Sequence, residues 1–143
     1  MQIVKLPFAD TDITIYNQFK TIDPITNKTQ VTWLRTVIPN CYWGKNGKQI
    51  DIGGIKIKSD DFLVQIPEDA NYRNRWDWNG ENSLFTADKG DVIVNGRLDI
   101  EIPLNGVPRQ VLEDYIGRMF TVETVSNNTG RDVPLGHIAV TGK

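Results

Sequence analysis

Cys41 and His137 are the chain's one cysteine and one histidine. A thiol needs only a nearby base to become a nucleophile, so the two could form a catalytic pair. Nothing in their spacing supports one. A single histidine excludes zinc or iron centres built on several imidazoles. Asp77-Trp78-Asn79-Gly80-Glu81 sets out oxygens like the start of a calcium loop. It lacks the remaining ligand positions and the closing glutamate, so a solvated turn is the better reading. Asp60-Asp61 and the Asp99/Glu101 pair could act as acid and base only if one carboxyl were desolvated. Their amphipathic surroundings place them in water instead. There is no Gly-Lys-Ser/Thr phosphate loop, no Gly-x-Ser-x-Gly elbow and no Gly-x-Gly-x-x-Gly. The sequence therefore reads as a non-enzyme, with no metal and no cofactor expected.

The aromatic residues carry more information. Trp33 and Trp43 lie in strand patterns and are expected in the core. Trp76 and Trp78 are two apart, so in extended chain they share one side, which suits a partner pocket or a neighbouring subunit. They sit in Glu68–Lys89, about 20 residues without clear periodicity, unusually long for a loop in a compact domain. Tyr72, Arg73, Arg75, Trp76, Trp78 and Phe85 are the candidate partner-binding residues there. A loop folded back on the core by its own aromatics is the compatible alternative. Lys48, Lys56, Lys58, Arg73 and Arg75 could form a basic patch, although solvated strand faces explain them as well. The formal net charge of −2 gives no basic footprint for gripping nucleic acid.

Strands must position these residues. Gly90-Asp91-Val92-Ile93-Val94-Asn95-Gly96 is a β-branched run between two turn signals, a strand buried on both sides. Asp91 is expected to cap the turn that enters it. Asp12–Asn17 alternates cleanly, and Thr32–Ile38, closed by Pro39, pairs with it across the Asp23–Lys28 turn. Asn46-Gly47 predicts a hairpin joining Cys41–Trp43 to Gln49–Ile52. Ile55–Lys58, Asp61–Ile66, Leu98–Pro103 (with an acidic outer face), Phe120–Val125 and His137–Val140 complete the strands. A turn is expected at Ser126–Gly130. The one helix is expected within Leu104–Gly117, about 107–117, with Pro108 in its first turn and Gly117 at its end.

The expected fold is mainly β: a small β-barrel or sandwich with one short helix and a long loop at about 68–89. The 143 residues are expected to form a single domain, 1–143. One cysteine allows no internal disulfide. The first twenty residues hold Asp10 and Asp12 and no long apolar run, so no signal peptide is expected. No stretch approaches the roughly 20 apolar residues that cross a bilayer, and no membrane partner is expected.

Four stretches together resemble a known family. They are Asp12–Asn17, Arg35-Thr36-Val37-Ile38, Gly90–Gly96 and the ending His137-Ile138-Ala139-Val140-Thr141-Gly142-Lys143. In this order they are similar to minor capsid or head–tail connector proteins, of the head-closure (stopper) type, from tailed phages and prophages of Gram-positive bacteria. The resemblance spans nearly the whole chain. That family's ending reads His-Trp-x-Val-x-Gly-Lys, and Ile138 stands where Trp is expected, so a special role for that Trp does not carry over.

The resemblance implies a structural virion protein, made in the host cytoplasm and placed at the head–tail junction. Such a protein forms a homo-oligomeric ring on the portal or its adaptor, closes the channel after DNA packaging and presents a surface to tail proteins. It meets packaged DNA only transiently. The Glu68–Lys89 loop would be the reaching element. A tail-terminator or tail-completion ring protein is one alternative. Another is a tryptophan-based binding module for carbohydrate or single-stranded nucleic acid.

Overall fold

The computed structural model describes residues 10–46, 49–52, 55–58, 61–68, 71–81, 83–128 and 136–143, the side chains of 45, 46, 49–52, 55–58, 61 and 128 excepted. The lead-in Met1–Phe8, the turn residues Gly47, Lys48, Gly53 and Gly54, and the side chains of Lys56 and Lys58 lie outside that set.

The chain is mainly β with one short helix, as its alternation implies. Its strands are β1 (Thr11–Ile22), β2 (Thr29–Asn46), β3 (Gln49–Ile52), β4 (Ile55–Lys58), β5 (Asp61–Pro67), β6 (Val92–Asn95), β7 (Met119–Asn128) and β8 (His137–Gly142). Six of them pair antiparallel in the order β1-β2-β5-β8-β7-β6, and β6 returns to β1, so the sheet closes on itself. Strands β3 and β4 form a separate two-stranded ribbon.

Two bulges make the corners. In β2 the register slips between Ile38↔Ile13 and Cys41↔Thr11. Asn40 takes the extra position with φ 58°, a left-handed conformation that asparagine tolerates better than most residues. β2 therefore does not stop at Pro39, as its sequence implies. It bends there, leaves β1 and goes on to pair with β5 from Tyr42↔Gln65 to Asn46↔Asp61. Strand β7 does the same between Val122↔Gly142 and Thr124↔Thr141. At that corner Gly142 lies so close to β7 that an added Cβ would overlap the Thr121 carbonyl and the Phe120 ring.

The two faces of the sheet bury two cores. Inside the ring, Ile13, Ile15, Val64, Ile66, Ile93, Phe120, Ile138 and Val140 form one cluster, with Phe85 and Ala87 arriving from the long loop. Ile138 is fully buried, so the residue standing in place of the expected Trp keeps its packing. On the outer face, Tyr16, Val92, Val94, Leu98, Ile102, Leu112 and Met119 form the second. Val92, Ile93 and Val94 are thus buried on both faces, and β6 lies between β1 and β7.

Four expectations are corrected. Leu98–Pro103 is no strand: it crosses the outer face extended, burying Leu98 and Ile102 while Asp99 and Glu101 face water. Its alternation is real, but Arg35 holds it through side-chain bonds, donating to the Leu98 carbonyl (2.7 Å) and to Glu101 (2.8 Å). The helix is shorter than expected. α1 covers only Pro108–Val111, and a 3-10 turn, Glu113–Tyr115, follows the break at Leu112, whose φ/ψ of −107°/31° is not helical. The Asn46-Gly47 signal does not join Cys41–Trp43 to Gln49–Ile52, because β3 pairs with β4 instead. Ser126–Asn128 belongs to β7 and not to a turn; residues 129–130 lie outside the described residues.

Candidate interaction surface

The long loop is anchored on β1 by a polar knot. Asn17, placed on a strand by β-alternation, is 1% exposed. Its amide donates to the Thr86 carbonyl (2.7 Å) and to Asp91 Oδ2 (2.8 Å). Asp91 Oδ1 accepts from the Gln18 backbone (2.9 Å), and Oδ2 also accepts from the Asp88 backbone (2.9 Å). Asp91 therefore caps the Asp88–Asp91 turn, as its position before the strand implies. Burial pushes its carboxyl up to about 6, outweighing the three donors that favour the charged form. Gly90, at φ 96°, brings the turn against the Gln18 side chain, where a Cβ would collide.

An aromatic anchor lies beside the knot. Trp78 is 5% exposed and sits edge-on to Phe19, ring centroids 5.5 Å apart. Its indole nitrogen donates to the Leu84 carbonyl (3.3 Å). Gly80, at φ 84°, lets the backbone pass over the Phe19 ring. Tyr72 meets Phe85 edge-on at 5.7 Å, and burial raises the Tyr72 hydroxyl's pKa.

Between these anchors the chain turns at Asn74. Its side-chain oxygen accepts from the backbone of Trp76 and Asp77 (both 3.0 Å), and its carbonyl accepts from Asp77 and Trp78 (both 3.1 Å). The segment is thus coiled, and Trp76 and Trp78 do not share a side. Trp78 points inward, while Trp76 is 92% exposed.

The six candidate residues therefore separate. Trp78 and Phe85 are buried, Tyr72 is half-buried, and Arg73, Arg75 and Trp76 stay at the surface. Arg75 pairs with Asp88 (2.7 Å). Beside that pair lies a pocket of about 40 Å³ lined by Gln18, Lys20, Arg75, Thr86, Asp88, Lys89 and Asp91. It has room for water but is far below the several hundred Å³ of a small-molecule site. Thr86 Oγ1 is buried there with no hydrogen bond of ordinary geometry, although Thr86 lies close enough to Tyr72 to favour that phenol's charged form.

Asn17, Gln18, Lys20, Thr86 and Lys89 were not legible as site residues. The one available signal was Asn17, an amide in a strand where an apolar residue was expected. Cys41 is fully buried in the inner core. Among the described residues no group of three or more histidine, cysteine, aspartate or glutamate side chains could hold a metal.

Residues 8–143 match a family of unknown function, DUF6751. The chain belongs to that family. No curated protein and no solved structure gives a match. The four stretches singled out in the sequence lie in the closed sheet of this DUF6751 member: Asp12–Asn17 in β1, Arg35–Ile38 in β2, Gly90–Gly96 around β6 and His137–Lys143 around β8. Several of their residues are structural fasteners. Asn17 and Asp91 tie the first stretch to the third, and Arg35 clamps the crossing segment. Gly142 permits the β7–β8 corner.

Proposed function

We propose that this protein is a structural component of a phage particle, forming a ring at the head–tail junction that closes the portal channel and offers the tail a docking surface. The observation that carries the reading is the surface at Asn74–Trp76. A 92% exposed tryptophan stands on a turn fixed by four hydrogen bonds, beside Arg73 and the Arg75–Asp88 pair. Tryptophan and arginine are the residues that most often dominate protein interfaces, and a pre-set turn lowers the ordering cost of binding.

The resemblance of four stretches supports the location. The small pocket supports protein contact over an enclosed small-molecule site. The closed sheet gives a rigid body for packing into a ring, and the anchored loop presents Trp76 to a neighbour.

Mass spectrometry of gradient-purified particles tests the reading. The chain is expected in intact virions at a copy number near that of the portal protein. Its absence from particles would reject the proposal.

A further inference from the structure

The closed sheet leaves one strand edge open. β2 pairs with β1 along residues 29–41 and with β5 only along residues 42–46. Over its first half, the edge turned away from β1 has no strand partner among the described residues.

Val31 shows which backbone groups point that way. Its N–H donates to the Asn105 side chain (2.8 Å), and its carbonyl accepts from the Asn105 amide (2.9 Å). Both groups of Val31 therefore face away from β1. Strand alternation turns the N–H and C=O of Trp33, Arg35 and Val37 the same way. Thr32, Leu34 and Thr36 instead face β1, opposite Phe19, Asn17 and Ile15. Trp33, Arg35 and Val37 are partly exposed, and no described residue bonds to their backbone on the open edge. Such a row of unpaired groups is a template for another strand.

The open window has a stop at each end. Asn105 fills the edge at Val31. At the other end Pro39 has no N–H to give, and the left-handed Asn40 bends the strand away.

The two stops match each other under two-fold symmetry. Lay a second β2 antiparallel, with Arg35 opposite its own copy, and Trp33 of each chain meets Val37 of the other. One step further, Val31 meets Pro39. Asn105 already uses the Val31 groups, and Pro39 has no donor to offer there. The bend at Asn40 carries the second chain off at the same point. Each of the three pairs inside the window exchanges two backbone bonds. The side chains agree with this register. Trp33 beside Val37 is an aromatic–β-branched pair. Each Arg35 is drawn to its own chain by Glu101 (2.8 Å) and the Leu98 carbonyl (2.7 Å), which offsets the charge of its copy.

We infer that the Trp33–Val37 edge of β2 is a self-pairing site, where a second copy of this chain adds its own β2 antiparallel. The contact is isologous, so it closes at a dimer. The loop that carries Trp76 is tied to the opposite edge of the β1–β2 pair, through the Gln18 amide and Asp91. Self-pairing therefore uses a different surface and does not rest on the ring reading.

Sedimentation of the full-length chain across a dilution series, with amide hydrogen exchange by NMR at both ends of the series, tests the site. The wild type is expected to pass from dimer to monomer on dilution. The amides of Trp33, Arg35 and Val37 are expected to be protected in the concentrated sample and to lose that protection in the dilute one. Those of Thr32, Leu34 and Thr36, turned to β1, should stay protected in both. Val37→Pro removes one outward N–H and no bond to β1, a change that an edge strand accepts. It is expected to keep the wild-type circular dichroism and to stay monomeric. Should that variant not fold, the exchange pattern of the wild type decides. A wild type that is monomeric at every concentration, edge amides that exchange equally fast in both samples, or a folded Val37→Pro that dimerises like the wild type would overturn the inference.

Discussion

Asp91→Asn separates two forces that oppose each other at the polar knot. Burial disfavours the carboxylate, while three donors, the Asn17 amide and the backbones of Gln18 and Asp88, favour it. Burial prevails, raising the pKa from 3.8 to about 6. The folded state therefore holds its proton over a pH range where the unfolded chain has already lost it. The stability that this proton supplies is complete below the unfolded value and is lost as pH rises through the folded one. A shift of about two units at ~1.4 kcal/mol each is a loss of about 3 kcal/mol. Asparagine has nearly the shape of the protonated side chain and does not titrate. Urea unfolding followed by tryptophan fluorescence, from about pH 4 to about pH 7.5, would give the stability difference between wild type and Asp91→Asn. Wild-type stability is expected to fall relative to the variant by about 2.5 kcal/mol across that range, because a small part is already lost by pH 4. The difference cancels the other carboxylates, which both proteins share. A flat difference, or one that rises with pH, would refute the dominance of burial and assign control to the donors.

The two loop tryptophans are expected to behave oppositely. Trp78→Ala empties the anchor over Phe19 and should cost about 3 kcal/mol in urea unfolding, while Trp76→Ala should change stability by less than about 0.5 kcal/mol and reduce incorporation into particles. Gly142→Ala should prevent the β7–β8 corner from closing, seen as loss of soluble protein or of the cooperative transition. Arg35→Met keeps the length of the side chain but leaves the Leu98 carbonyl without its donor. It should cost about 1–2 kcal/mol and speed hydrogen exchange across residues 98–105, while β6 amides remain protected.

Much of the fold was legible because its signals are local. Val92–Val94 between Gly-Asp and Asn-Gly marks a strand buried on both faces, and Ile13 with Ile15 marks the inner face of β1. What was not legible depended on distant partners. Pro39 reads as a stop, and only the left-handed Asn40 beside it turns that stop into a bend. Leu98–Ile102 alternates like a strand, but its fastener is Arg35, more than sixty residues earlier. The surface was half legible. Composition marked the 68–89 loop, but alternation could not say that Asn74 would coil it and send Trp76 and Trp78 to opposite sides. The knot of Asn17, Thr86 and Asp91 joins residues about seventy apart, and no spacing rule reaches that far. Both strands of the ribbon were legible, Gln49–Ile52 and Ile55–Lys58, but not their pairing with each other. Its independence from the closed sheet depends on where β2 and β5 end.

The role proposed for this protein is structural work at the head–tail junction. The most direct measurement is electron microscopy of particles made by a phage or prophage lacking this chain. Tailless heads that have lost their DNA, beside free tails and restored by the wild-type chain supplied in trans, are the expected result. Normal numbers of tailed, infectious particles would contradict it.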